Sequence, residues 1–158
     1  MTRPTRSHHR YRDRSVVPPP TTALSTPDDA LRIVLAAVAE PPTAETVVLL
    51  LDAQFHGGTC LVCRGASSAE QVASLVPLLT RVAEQEPTLA AVVLATVRPG
   101  QGITLAGADD AMFATMRHDL AGANVDLLDW FLLDGDLIAS VAELTGACWR
   151  WAGQEPPW

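Results

Sequence analysis

Residues 92–109, reading VVLATVRPGQGITLAGAD, constrain the fold more than any other part of the chain. The stretch opens as an apolar run, breaks at Arg98-Pro99-Gly100, crosses a glycine-containing loop and ends in an acidic pair heading an apolar-periodic segment. An apolar run bounded by turn residues reads as a buried strand, and the periodic segment after it reads as a helix. Strand, loop and helix in that order belong to a sheet covered by helices, and open α/β sheets place their sites where such a strand ends. Thr96, Arg98, Asp109 and the neighbouring Asp110 are the reactive-looking side chains gathered there.

The flanking sequence continues the pattern. Ser25-Thr26-Pro27-Asp28-Asp29 opens a helix over 27–39, with a hydroxyl cap, an early proline and acids in the first turn. Residues 47–52 are almost wholly apolar, and 59–64 (TCLVCR) return as the second strand of a hairpin. Ser67 with Glu70 matches a capping box for a helix over 68–84, whose stripe of Val72, Leu75, Val76, Leu79 and Val82 is interrupted by Pro77, a kink or break. A strand over 89–97 and a helix over 108–121 follow. Residues 125–128 and 130–133 have strand character around Asp129, and 137–141 return after the Asp134-Gly135 turn. The expected fold class is α/β (α+β), a mixed sheet with flanking helices. One domain over 25–150 follows a basic, proline-rich arm over 1–24 read as disordered, and precedes a flexible tail over 151–158.

Charge is unevenly spread. The 158 residues carry a formal −7 and no lysine, yet Arg3, Arg6, Arg10, Arg12 and Arg14 crowd the first fourteen positions, so the remainder carries about −11. An acidic body is a poor surface for phosphate backbones, which leaves the arm as the one segment suited to nucleic acid. No run of roughly 18 apolar residues is present, so no membrane span is expected. The arm lacks the apolar core of a signal peptide, and three cysteines are an odd number, which together point to a reducing cytoplasm.

Few side chains are arranged for chemistry. Cys60 and Cys63 form a CxxC with His56 close by, a weak metal alternative. In a strand, however, residues three apart face opposite ways, and a fourth ligand is missing. His118 follows Asp109 by two and a half helical turns, so the two cannot share an ion. Gly100-Gln101-Gly102 lacks the rest of any phosphate-binding fingerprint. Trp130 reads as core, whereas Trp149 and Trp151 are interface candidates, because tryptophan suits surfaces that are partly apolar and partly wet.

The order of elements and the loop after residue 97 resemble the RadC-like branch of the JAB/MPN (JAMM) metalloprotease-fold domains. In that branch a strand ends in His-Asn-His-Pro-Ser-Gly, and the loop passes a serine before an aspartate that opens a helix. Thr96 and Arg98 fall on the two histidines, Pro99 on the proline, Ala106 on the serine and Asp109 on the aspartate. Leu127-Leu128-Asp129-Trp130 is similar to the family's Leu-Leu-Asp-His, and Arg64-Gly65 to the end of its first hairpin. The resemblance spans about residues 28–145 and implies a cytidine-deaminase-like JAB/MPN architecture. It also implies that two histidines and the aspartate hold zinc while a glutamate of the first hairpin polarises water. Here His56-Gly57-Gly58-Thr59 offers no carboxylate and only Asp109 remains of the ligands. One carboxylate cannot build a zinc site.

The resulting expectation is a non-catalytic domain with neither metal nor cofactor, in which Arg98 pairs with Asp109. It would act as a scaffold or protein-interaction module, with self-association as one route. Two other readings compete. One is a metal-independent hydrolase using Asp109 with His56. The other is a DNA-associated protein tethered by its arginine-rich arm.

Overall fold

The computed structural model describes residues 23–57, 59–105 and 107–147. Its centre is β3 (Ala91–Val97), an apolar strand buried at all seven positions because neighbours flank it and helices cover both faces. On one side lies β1 (Glu45–Leu51), antiparallel, with β2 (Thr59–Arg64) beyond it. On the other lies β4 (Asp126–Asp134), parallel, with β5 (Leu137–Ser140) antiparallel at the far edge. The five-stranded order is therefore β2-β1-β3-β4-β5. A parallel neighbour requires a crossover, which α4 (Gly107–Gly122) supplies between β3 and β4.

Alternation along the strands divides the core into two layers. Val47, Leu49, Val93, Phe131 and Leu133 pack against α1 (Pro27–Ala37) on one face. Val48, Val92, Leu94, Trp130 and Leu132 face the other, where α2 (Ala69–Ala73), α3 (Val76–Gln85), α4 and α5 (Val141–Thr145) supply Val72, Leu79, Phe113, Met116 and Val141. The mixed α/β sheet with helices on both faces is the architecture expected from the chain's patterning.

Several boundaries differ from expectation, each for a local reason. The folded body begins before residue 25. Leu24 is buried and donates its N–H to the Phe55 carbonyl at 3.0 Å, so the arm ends earlier than its composition suggested. Thr26 and Asp29 form the capping box of α1. The helix expected over 68–84 is two helices, with the break at Ser74-Leu75 and Pro77 in the first turn of α3, where its missing N–H costs nothing. The cap of α2 is Ser68 with Gln71 rather than Ser67 with Glu70. The two strands expected around Asp129 are one strand. It carries a bulge in which Val92 pairs with Leu127 and Val93 with Asp129, leaving Leu128 as the extra residue.

Among the described residues no helix is long and apolar enough to cross a membrane. The interface candidates Trp149 and Trp151, the site position Ala106 and the arginine cluster of the arm lie outside the described residues.

Candidate functional site

Arg98 is the first residue after β3, and its backbone N–H still bonds the Leu133 carbonyl of β4 at 2.8 Å. Being two residues beyond Thr96 on the same face, it directs its side chain towards the α2–α4 layer. There it meets Asp109 in the first turn of α4, with Nη1 to Oδ2 at 3.0 Å and Nη2 to Oδ1 at 2.8 Å. Nε donates to the Ser67 carbonyl at 2.6 Å, and the guanidinium carbon lies 5.5 Å from the centroid of the Trp130 ring. Both charged partners are buried. A two-pronged arginine–carboxylate contact is the strongest form of ion pair, and the ring face adds attraction for the cation.

Beneath this pair runs a directional chain of hydrogen bonds. Trp130 Nε1 donates to Thr96 Oγ1 at 2.8 Å. The Thr96 and Thr46 hydroxyls lie 2.8 Å apart, and Thr46 Oγ1 donates to the Ala66 carbonyl at 2.7 Å. Since the Thr46 proton is committed to Ala66, Thr96 donates to Thr46 and accepts from Trp130. Each buried hydroxyl thus has a fixed role.

The loop beyond Arg98 is pinned to the end of β4. Gly100 and Gly102 take φ of +74° and +72°, which side chains other than glycine rarely adopt, and their N–H groups donate to the Asp134 carboxylate at 2.9 and 2.8 Å. Pro99 is exposed and points to solvent rather than into the site.

Thr96, Arg98 and Asp109 therefore come together, in an arrangement that does not fit zinc. Thr96 is bound up with Trp130 and Thr46, Arg98 brings positive charge, and both Asp109 oxygens bond the guanidinium. The chain does contain a carboxylate in its first hairpin, outside the 56–59 turn where the sequence suggested looking for one. Glu45 heads β1 and is buried, with Oε1 accepting from Ala39 N–H at 2.7 Å and Oε2 without a partner among the described residues. It sits next to Thr46, and alternation turns it to the α1 face, away from Arg98 and Asp109. An acid heading an otherwise apolar strand was the available signal.

The other candidates separate. His56 lies near Asp52, with Nδ1 3.4 Å from Oδ2, in the loop after β1. Leu51 pairs with Ala91 and Glu45 with Val97, so His56 and Asp109 belong to opposite ends of the sheet, roughly 20 Å apart along strands of this length. A hydrolytic pair of the two is thereby contradicted. Cys60 pairs across the ladder with Leu49 and Cys63 with Thr46, which places the thiols on opposite faces. Neither is fully core nor fully exposed. Burial pushes the Cys60 thiol up to about 11 and raises that of Cys63 as well, so both favour the protonated form over the reactive thiolate. His118 is exposed.

A residue not singled out for function, Asp129, is a second buried hub. Oδ1 accepts from the N–H groups of Trp130 (2.7 Å) and Ala142 (3.1 Å), and Oδ2 from Ser140 Oγ at 2.7 Å. Burial raises its carboxyl to about 6 in spite of these donors. It ties the bulge of β4 to the start of α5.

The fold and site together define a mixed α/β domain whose strand-end position is filled by an internal ion pair. No model of a known protein family matches the chain, and a search of curated proteins finds no match.

Proposed function

We propose that the chain is a metal-free, non-catalytic domain of RadC/JAB-like architecture that serves in the cytoplasm as a scaffold or protein-interaction module. The observation that carries this reading is the buried Arg98–Asp109 pair. It occupies the position where the family resemblance would put a metal and its water, and all three guanidinium nitrogens are already bonded. A guanidinium is a permanent cation with no lone pair to accept a proton, and the hydroxyls of Thr96 and Thr46 are committed to the network below it. What such a domain retains is a rigid, largely acidic surface for another protein.

Elemental analysis after extensive dialysis tests the reading. Wild type should hold well under one zinc per chain, and added equimolar zinc should leave its melting temperature unchanged, since a ligand bound to the native state raises stability. A full equivalent of zinc that Asp109→Asn removes would overturn it.

A further inference from the structure

β2 is an edge of the sheet, paired with β1 alone among the described residues. A bond from Gly65 N–H to the Ala44 carbonyl, 2.8 Å, fixes which of its backbone groups face outwards. Bonded and non-bonded pairs alternate along an antiparallel ladder. Gly65 opposite Ala44 is a bonded pair, so Cys63, Leu61 and Thr59 direct their N–H and C=O groups to β1. Cys60, Val62 and Arg64 direct theirs away from it.

Natural edge strands are usually blunted by charge, proline, a bulge, brevity or a covering element. β2 has six residues, no proline, an unbroken register and no charge before the terminal Arg64. The opposite edge, β5, is four residues long and runs straight into α5. In the middle of β2, Val62 leaves 45% of its surface exposed, as one of the exposed large hydrophobics among the described residues.

We infer that β2 pairs antiparallel with β2 of a second copy, about a two-fold axis passing through Val62. Facing residues of an antiparallel pair must point to the same side of the sheet, so Val62 faces Val62, Cys60 faces Arg64 and Leu61 faces Cys63. In this register every outward N–H and C=O of Cys60, Val62 and Arg64 finds a partner. Moving the axis to Leu61 would leave Arg64 without a partner within β2. No like charges oppose one another, and the axis, perpendicular to the sheet, keeps both α1 helices on one face. A strand whose outward groups satisfy their own copy is the requirement for a closed, isologous dimer. The inference rests on the interaction-module reading and identifies its partner as a second copy.

Sedimentation of the full chain tests it, with a dimer of twice the 16.8 kDa chain mass expected by about 100 µM. Val62→Lys changes an exposed side chain and sets two like charges against each other on the axis. It should raise the dimer dissociation constant by at least about tenfold while leaving the circular dichroism of the monomer unchanged. Val62→Cys, with Cys60, Cys63 and Cys148 replaced by serine, should form an intermolecular disulfide under mild oxidation. Bonded antiparallel partners place Cα atoms about 5.5 Å apart, within disulfide reach. This second variant decides the matter should Val62→Lys fail to fold. A monomer at about 100 µM, or a dimer that V62C does not cross-link, overturns the inference. Either result leaves the metal-free reading standing, because zinc content judges that separately.

Discussion

Arg98 and Asp109 replace what would otherwise be an open strand end with a closed electrostatic contact. Removing one partner of a buried pair strands the other without compensation, at a cost of about 3–5 kcal/mol. Arg98→Ala and Asp109→Ala should each lower stability by that order in denaturant melts. The double variant should recover part of the loss, and strict additivity would mean that the two groups do not interact. Asp129 poses a different question, because burial raises its carboxyl from 3.8 to about 6. Between those values the folded state holds a proton that the unfolded chain has released, so this residue's contribution to stability falls as pH rises through the window. The loss is complete above about 6 and is on the order of 3 kcal/mol. An asparagine in its place would keep an oxygen for Trp130 and Ala142 and offer an amide to Ser140, mimicking the protonated acid. Asp129→Asn should therefore flatten the dependence of stability on pH between about 4 and 6. An unchanged slope in pH-resolved melts would assign the titration to another group.

At the scale of elements, the tie from Arg98 Nε to the Ser67 carbonyl fixes the chain immediately before the cap of α2. It also accounts for the shifted cap. With the Ser67 carbonyl held by Arg98, Ser68 Oγ accepts from Gln71 N–H, and Gln71 Oε1 accepts in return from the N–H groups of Ser67 and Ser68. Sequence alone presented two adjacent serines with an acid and an amide at matching distances, and only the distant arginine distinguishes between them. Arg98→Ala should therefore speed amide exchange at Gln71 and Val72 far more than within α1. Equal acceleration in both helices would mean that the substitution acts globally. The bulge of β4 was illegible for a similar reason. Asp129 reads as an interruption in an apolar run, yet donors from β5 and α5, remote in the pattern, let an acid remain inside the strand.

For the whole molecule, apolar periodicity was enough to forecast the mixed sheet and its flanking helices, because burial on two faces leaves a plain signature in strands such as Ala91–Val97. The pairing of Arg98 with Asp109 was an expectation of the family resemblance, which sets both residues at one site. The Trp130–Thr96–Thr46 chain could not be anticipated, since it crosses three strands that only the sheet order brings together.

Charge distribution separates protein partners from nucleic acid at the same scale. Outside the first fourteen residues the chain carries about −11, whereas those fourteen hold five arginines, two histidines and a single acid. Phosphate binding is governed by counterion release, and each neutralised phosphate adds about −0.9 to the slope of log K against log salt. Even with every arginine of the arm engaged, the slope should not exceed about −5, so most affinity gained at low salt is lost by about 200 mM. A gel shift with a short duplex should thus appear only at low salt and vanish on deletion of residues 1–14. The folded body, acidic overall, should repel the duplex rather than supplement the arm. A complex that persists at about 200 mM salt, or one that survives the deletion, would locate a nucleic-acid surface on the folded domain and displace the protein-interaction reading.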